Sequence, residues 1–216
     1  MEPISLTEID LIEHTYQQKH CVDGVSFVGY KDTDRLATDD DNALFTGMYL
    51  AAASYRAATN KNESIVSQYR ADDVAAVIGA LEGISLLTNV TGTPGVLVRQ
   101  VFPTWNSWER IGYHPLRSLT SAGNSYGTLI RDGRVYHGLY SSPSGIEKSY
   151  AYTTKTTKDQ ISGILFGLTC AWYLVPQVRT TVTQIVKDLW NRMQVTGYSL
   201  RDHNNETFGT SAHELD

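Results

Sequence analysis

Acidic side chains gather just before one predicted helix. Asp39, Asp40 and Asp41 stand in a row and Asn42 follows them. A carboxylate in a partly buried cleft can exchange a proton or accept a hydrogen bond from a sugar hydroxyl. Aspartate also caps helices, because its side chain accepts hydrogen bonds from first-turn amides. The sequence leaves both roles open and singles out Asp41 as the member that does more than cap.

Aromatic and basic residues combine between positions 105 and 114. Trp105 and Trp108 are three residues apart, and Arg110 and His114 follow them. Flat aromatic faces stack on the apolar faces of sugar rings, and a neighbouring cation favours an acidic ring. This segment therefore suits a sugar-binding platform. The alternative is that both tryptophans cover the core beneath a long loop.

A third group of polar residues surrounds the start of another predicted helix. Tyr152 and Lys155 come shortly before Asp159 and Gln160, which lie in the first helical turn. Asp159 has a capping explanation, but this segment gathers more polar groups than a cap requires. It is the strongest candidate for a site.

A carboxylate and an imidazole are adjacent after the last predicted helix. Asp202 and His203 lie between Arg201 and Asn204. An aspartate and a histidine in one place can exchange protons. Neighbours in a loop often point apart, so a solvated turn is the alternative.

Several chemistries have no motif in this chain. It contains no phosphate-binding loop, HExxH or dinucleotide-binding fingerprint. Cys21 and Cys170 are far apart and match no metal-ligand spacing, so we expect two free thiols, no metal and no cofactor. Carboxylates, aromatics and hydroxyls remain. That set favours a carbohydrate ligand by composition.

Composition sets limits on the class of protein. A length of 216 residues with 41% hydrophobic residues predicts one domain, spanning 1–216, with a real core. The net charge of -5 and the absence of a Lys/Arg block argue against nucleic-acid binding. No apolar run approaches the roughly 18 residues that cross a bilayer, and the first residues lack a signal-peptide layout. We expect a soluble protein, either cytoplasmic or exported after processing.

Helical periodicity places most of these polar clusters at helix ends. The predicted helices cover residues 6–18, 43–59, 74–88, 158–174 and 178–196. In the second helix the apolar stripe consists of Leu44, Met48, Ala51, Ala52 and Tyr55. A polar connection at 60–63 joins the second and third helices, and Pro176 separates the last two. Helices joined by short loops usually lie antiparallel, so we predict two hairpins in a mainly α fold.

Two stretches lack helical periodicity. Residues 96–157 are rich in Gly, Ser, Tyr and Trp, which predicts a loop-rich excursion within the domain. Inside it, Asp132-Gly133 predicts the two-residue turn of one small β-hairpin near 128–137. Residues 20–41 have the composition of an irregular segment.

Four segments carry a family resemblance. They are Asp-Asn-Ala-Leu-Phe-Thr-Gly-Met-Tyr-Leu-Ala at 41–51 with Tyr-Arg-Ala-Ala-Thr at 55–59, Leu-Glu-Gly at 81–83 with Leu-Leu-Thr-Asn-Val-Thr-Gly-Thr-Pro-Gly at 86–95, Lys-Asp-Gln-Ile-Ser-Gly at 158–163, and Gly-Tyr-Ser-Leu-Arg-Asp-His at 197–203. In this order they resemble uncharacterised bacterial proteins related to six-hairpin, (α/α)6-toroid glycosidases and polysaccharide lyases. The resemblance implies antiparallel helix hairpins of an α/α toroid, with sugar chemistry in a funnel at one end. No residue here matches a catalytic signature of those enzymes.

The number of helices departs from that family. A six-hairpin ring needs many more helices than the five predicted here, so we expect a partial ring or a smaller fold. A truncated chain is one explanation. Half a ring would expose an apolar edge, which requires a partner or self-association.

Two functions from different classes compete. The first is a glycoside hydrolase or polysaccharide lyase in which Asp159 or Asp202 exchanges protons while Asp41, Tyr152 and Lys155 hold the sugar. A hydrolase needs two carboxyl groups about 5–10 Å apart across one cleft. A lyase needs a tyrosine or histidine near Arg110 or Lys155.

The second function is a non-catalytic module that binds glycans or serves as a structural subunit of an assembly. It requires exposed aromatic side chains without paired carboxylates. The module would use the 96–157 excursion as its contact surface. The residues that the sequence proposes for contact with a polysaccharide or oligosaccharide are Tyr152, Lys155, Trp105, Trp108, Arg110, His114, Gln160 and His203.

Overall fold

The computed structural model describes residues 6–26, 41–63, 69–103, 135–142, 145, 147–154 and 156–206. Within them the chain is mainly α-helical, with a three-stranded antiparallel sheet and a short β-hairpin. The helices are α1 (Leu6–His20), α2 (Asn42–Glu63), α3 (Ala71–Asn89), α4 (Lys158–Leu174) and α5 (Arg179–Val195). The strands are β1 (Cys21–Val22), β2 (Val25–Ser26), β3 (Gln100–Pro103), β4 (Val135–Ser141) and β5 (Glu147–Thr153).

The predicted polar connection at 60–63 is wrong, because these residues form the last turn of α2. Asn60 is buried, and its side-chain amide donates a hydrogen bond of 2.8 Å to Oδ2 of Asp73 in the first turn of α3. This tertiary contact stabilises an additional helical turn that local composition does not favour.

Helices α2 and α3 run in opposite directions. Arg56 and Asn60, near the end of α2, both contact Asp73 at the start of α3. At the other end, the chain that leaves α3 passes the start of α2, where the amide of Ala43 donates to the carbonyl of Arg99. These contacts at opposite ends describe one antiparallel pair.

The chain bends by 117° between α4 and α5, at a short 3-10 helix, Pro176–Val178. This bend falls well short of a reversal, so the prediction of a second antiparallel hairpin is wrong. Pro176 cannot continue α4 because it lacks an N–H group. The 3-10 helix then leads directly into α5 without a loop in which the chain could turn back.

Helices α2 and α4 pack backbone against backbone. A Cβ atom on Gly47 would lie 2.1 Å from the carbonyl oxygen of Gly163, and one on Gly167 would lie 2.2 Å from that of Gly47. The contacts advance together along both helices, since Asp41 at the start of α2 meets Gln160 at the start of α4. The two helices are therefore parallel, and their N-terminal ends lie side by side.

The apolar stripe predicted for α2 describes its buried face only in part. Ala51 is buried, but Met48 and Tyr55 are 50% and 55% exposed, and Gly47 and Leu50, which are not in the predicted stripe, are buried. Close contact with α4 requires small side chains, so the packing face is defined by residue size more than by hydrophobicity.

A three-stranded antiparallel sheet lies within the segment 96–157, which the sequence predicts to be rich in loops. Its strand order is β3-β5-β4, with Val101 opposite Tyr152 and Tyr136 on the other side of Tyr152. β4 begins just after the predicted Asp-Gly turn, which lies outside the described residues, and it pairs with β5. Tyrosine and threonine in β5 favour an extended, half-buried strand.

A β-hairpin at residues 21–26 corrects the prediction of an irregular segment there. Asp23 and Gly24 have φ angles of 49° and 78°, which define a two-residue turn of type I′. Gly24 packs against α3, since a Cβ atom on it would lie 2.0 Å from the carbonyl oxygen of Gly79. The Asp23 carboxylate accepts hydrogen bonds from Lys148 Nζ at 2.5 Å and Tyr150 Oη at 2.9 Å. Burial and the Asp23 carboxylate raise the pKa of Tyr150.

The core lies between α2, α3, α4 and β5, where Leu50, Leu87, Ile164 and Tyr150 are buried. The outer face of α4 and α5 remains apolar and exposed. Its larger exposed side chains are Leu165, Phe166, Trp172, Tyr173, Val186 and Trp190. Within the described ranges, no helix alone combines the length and apolar character needed to span a bilayer, and α4 with α5 does so only as a bent pair.

Candidate functional site

The N-terminal ends of α2 and α4 bring Asp41 and Gln160 together. The side-chain amide of Gln160 donates a hydrogen bond of 2.5 Å to Oδ1 of Asp41, although 119 residues separate them in sequence. Nη2 of Arg99 lies 3.6 Å from the same oxygen. The Asp41 side chain is 33% exposed and that of Arg99 is 24% exposed. A fixed, partly accessible carboxylate beside a guanidinium therefore stands where the two helices begin.

Gln160 is held in place by the start of its own helix. Its side-chain carbonyl accepts a hydrogen bond of 2.8 Å from the backbone N–H of Thr157, and the Thr157 hydroxyl donates to the same oxygen. This is the glutamine half of a capping box. Gln160 is buried, so it orients Asp41 and offers little surface of its own to a ligand.

Arg99 is a site residue that sequence reasoning missed. It follows the end of α3, and its backbone N–H donates to the carbonyl of Thr153 at the end of β5. That contact places the guanidinium beside Asp41. A single arginine in an apolar run has no local signal, so only the tertiary fold identifies it.

Asp159 directly precedes Gln160 in sequence. It lies in the first turn of α4, and its side chain is exposed. An acidic residue at this position is favoured by the positive end of the helix dipole. Both the capping role and a role in chemistry are compatible with its position.

Asp202 has a structural task. It is buried, and its Oδ1 accepts hydrogen bonds of 2.9 Å from the backbone N–H groups of Asn204 and Glu206. Nη2 of Arg192 in α5 donates to the backbone carbonyl of Asp202 at 2.5 Å. These bonds shape the turn after α5 and occupy the carboxylate that the sequence suggested for proton exchange.

His203 and Tyr152 meet in an aromatic cluster with Tyr136. The ring of His203 packs edge-on against Tyr136 at 4.6 Å and against Tyr152 at 5.7 Å, and the tyrosine rings stack at 5.6 Å. Tyr152 is buried. Burial, Tyr136 and Asp202 raise its pKa to about 12. Such a phenol keeps its proton at neutral pH and is therefore unsuited to act as a base.

The raised pKa of Tyr152 predicts a dependence of stability on alkaline pH. The folded state holds this proton more tightly than the unfolded state, whose tyrosines titrate near pH 10. The contribution of this raised pKa to the free energy of unfolding is therefore complete below about pH 10, and it is lost as the pH rises through about 12. We expect Tyr152→Phe to make the decline in stability between these values shallower. Urea unfolding at several pH values measures the decline, and the tyrosinate absorbance should lose one late-titrating group. An unchanged absorbance titration would contradict the assignment.

Five of the residues that the sequence proposes for sugar contact lie outside the described residues. They are Trp105, Trp108, Arg110, His114 and Lys155. The predictions for them stay predictions. Among the predicted site residues that are described, Asp41 is hydrogen-bonded to Gln160. The ring of Tyr152 packs against that of His203, which follows Asp202 in sequence.

Among the described residues, no group of three or more His, Cys, Asp or Glu side chains is placed to hold a metal ion. Cys21 and Cys170 are free thiols. Comparison with protein-family models found no match, and comparisons with curated proteins and with solved structures found none either. Function therefore has to be argued from the geometry of this chain.

Proposed function

We propose that this chain is a carbohydrate-active protein of an α/α-toroid type, which binds a polysaccharide or oligosaccharide at the shared N-terminal end of α2 and α4. One observation carries the proposal. Asp41 and Gln160 belong to two separate segments that resemble toroid glycosidases, and they are joined by a hydrogen bond of 2.5 Å. A structure that served only to cap two helices would not require this bond between them.

Asp41 is the group that holds the sugar in this proposal. Its exposed oxygen surface accepts hydrogen bonds from hydroxyl groups, and Gln160 fixes the orientation of the carboxylate. The Arg99 guanidinium supplies N–H donors at the same place. Asp159, exposed in the first turn of α4, is the carboxyl group available for proton exchange.

Hydrolysis fits these residues better than elimination by a lyase. A lyase would need a tyrosine or histidine base with access to the substrate. Tyr152 is buried with a pKa raised to about 12, and it packs against His203. Asp202 is occupied by two backbone amides, which leaves Asp41 and Asp159 as the accessible carboxylates among the predicted site residues.

Asp41→Asn tests the proposal because it keeps the shape of the side chain and its ability to accept a hydrogen bond from Gln160. Hydrogen bonds to charged groups contribute about 1.5–3 kcal/mol, so we expect glycan affinity or turnover to fall about tenfold or more. Affinity electrophoresis in gels that contain polysaccharides measures binding, and release of reducing ends measures hydrolysis.

The matched control is Glu147→Gln, which makes the same change at an exposed carboxylate of β5. It should change neither readout. Equal behaviour of the two variants, or no glycan affinity in the unmodified chain across a broad panel of polysaccharides, would contradict the proposal.

A structural assembly subunit is the second candidate. The observation in its favour is the exposed apolar face of α4 and α5, where a groove of about 340 Å³ is lined by Leu165, Trp172, Tyr173 and Val186. Exposed apolar patches of this kind mark association surfaces. A stable oligomer in sedimentation experiments, together with indifference to every glycan, would favour this candidate over the first.

A further inference from the structure

A polar cavity lies between α1, the β1-β2 hairpin, α2 and α3, away from the Asp41 site. Its volume is about 580 Å³, which is in the range of small-molecule pockets of roughly 300–1,000 Å³. Arg56 of α2 lines it. Asp41 immediately precedes α2 and Arg56 lies fifteen residues further along, so about 22 Å of helix length separates them at 1.5 Å per residue. The cavity is therefore a separate place from the proposed sugar site.

Charged groups in this cavity are arranged around one buried carboxylate. The side chain of Asp73 is 1% exposed, with Nη2 of Arg56 at 3.1 Å and Nε of Arg70 at 3.9 Å. Asp72 lines the same space and is exposed. Among the described residues that line the cavity, two arginines and two aspartates give formal charges that cancel, and His14 also lines it.

Both donors and acceptors face this space. The guanidinium groups only donate, the carboxylates accept, and the Tyr49 hydroxyl does either. The Gln17 amide donates a hydrogen bond of 3.0 Å to Tyr49 Oη, which joins α1 to α2 across the cavity wall. A ligand with many hydroxyl groups can use such a wall, since every hydroxyl is both a donor and an acceptor.

Small residues of α3 keep the cavity open. Ala76, Gly79 and Ala80 line it, and a Cβ atom on Gly79 would meet nothing within 4 Å. A glycine inside a helix lowers the stability of that helix relative to alanine. At Gly24 and Gly83 the neighbouring backbone excludes a Cβ, whereas at Gly79 packing does not explain the glycine. Free volume in the cavity is what this glycine provides.

We propose that this cavity binds a small neutral polyhydroxylated ligand, a monosaccharide or disaccharide, independently of the site at Asp41. The juxtaposition that carries the proposal is a charge-balanced set of guanidinium and carboxylate groups above a floor of small residues. The two aspartates offset the two arginines, so the described lining has no excess charge that would favour phosphate or uronates. Guanidinium and carboxylate groups together offer donors and acceptors to neighbouring hydroxyls.

Gly79→Leu tests the proposal by filling the cavity without removing a polar group. Saturation-transfer NMR and calorimetric titration on the full chain measure binding of cellobiose, maltose, lactose and xylose, with glucuronate and inorganic phosphate as charged probes. We expect at least one neutral sugar to bind, and Gly79→Leu to weaken that binding at least tenfold. The matched control is Ala52→Leu, which places the same side chain on an exposed position of α2 and should leave binding unchanged.

Asp41→Asn separates this proposal from the function proposed above. Binding that survives Asp41→Asn and is lost in Gly79→Leu supports the cavity, whether or not the Asp41 site proves active. Binding that Gly79→Leu leaves intact, binding by the charged probes alone, or no binding by any neutral sugar would overturn the proposal. Circular dichroism and thermal unfolding of Gly79→Leu show that the variant is folded, and Gly79→Met provides a second filling residue.

Discussion

Gly47→Ala is expected to lower the free energy of unfolding by about 3 kcal/mol, at the upper end of the usual range for overpacked cores. The added Cβ would lie 2.1 Å from the carbonyl oxygen of Gly163, a backbone atom that cannot rotate away. Helices α2 and α4 would have to separate along their whole contact, which includes Gly167 and the bond between Asp41 and Gln160. Urea unfolding measures the loss.

Gly79→Ala is the matched control for this prediction. Both glycines lie inside helices, but a Cβ on Gly79 has open space around it. Alanine should therefore raise the free energy of unfolding there by roughly 0.5–1 kcal/mol through helix propensity alone. If the two variants shift stability in the same direction, the close contact between α2 and α4 does not hold in solution. Loss of glycan binding in Gly47→Ala would follow from the displaced helix ends.

Asp73→Ala is expected to destabilise the fold by about 3 kcal/mol, because removing one partner of a buried ion pair leaves the other charge uncompensated. The Arg56 side chain is only 12% exposed, so water replaces the lost carboxylate poorly. Asn60 also loses the acceptor that holds the last turn of α2 against α3. Urea unfolding at neutral pH gives the magnitude, and helical content by circular dichroism shows whether the end of α2 frays.

Asp72→Ala is the control for the buried aspartate, since it removes a neighbouring carboxylate from the same helical turn. Asp72 is exposed, so the loss should stay below about 1 kcal/mol, the usual limit for a charge near a helix terminus. Similar losses in the two variants would mean that the helix dipole, and not the buried pair, accounts for the effect of Asp73.

The two aspartates show why part of the polar chemistry escaped sequence reasoning. Asp72 and Asp73 are adjacent and chemically identical, and helical geometry directs only one of them toward Arg56 and Asn60. Arg99 has no local signal either, because its contact with Asp41 depends on how β3 and β5 pair. The contacts of Asp73 and Arg99 form only when segments that are distant in sequence pack together.

The two Asp-Gly pairs show a second reason why sequence alone does not identify every hairpin. The pair at Asp23 and Gly24 has the same signal as the predicted turn at 132–133. It forms a type I′ turn, although the flanking strands have only two residues each. Strands that short have too little alternation to be recognised. The hairpin is stabilised instead by tertiary contacts, since Asp23 bonds Lys148 and Tyr150 of the distant β5.

Periodicity and breakers were sufficient to predict that α1 to α5 exist and where most of them begin and end, because helix formation depends on neighbours within a few residues. The polar clusters at the starts of α2 and α4 could be located for the same reason. The antiparallel direction of α2 and α3 was predicted as well, because a short connection joins them, but the contact between α2 and α4 was not. The parallel approach of α2 and α4 depends on Gly47 meeting Gly163 and Gly167.

Tertiary structure alone decided which polar residues share a site. It joined Asp41 to Gln160 and Arg99. The physical reason is that a side chain's role depends on what lies within hydrogen-bonding distance. For the residues of this site, those neighbours come from segments far apart in the chain, which no local pattern records.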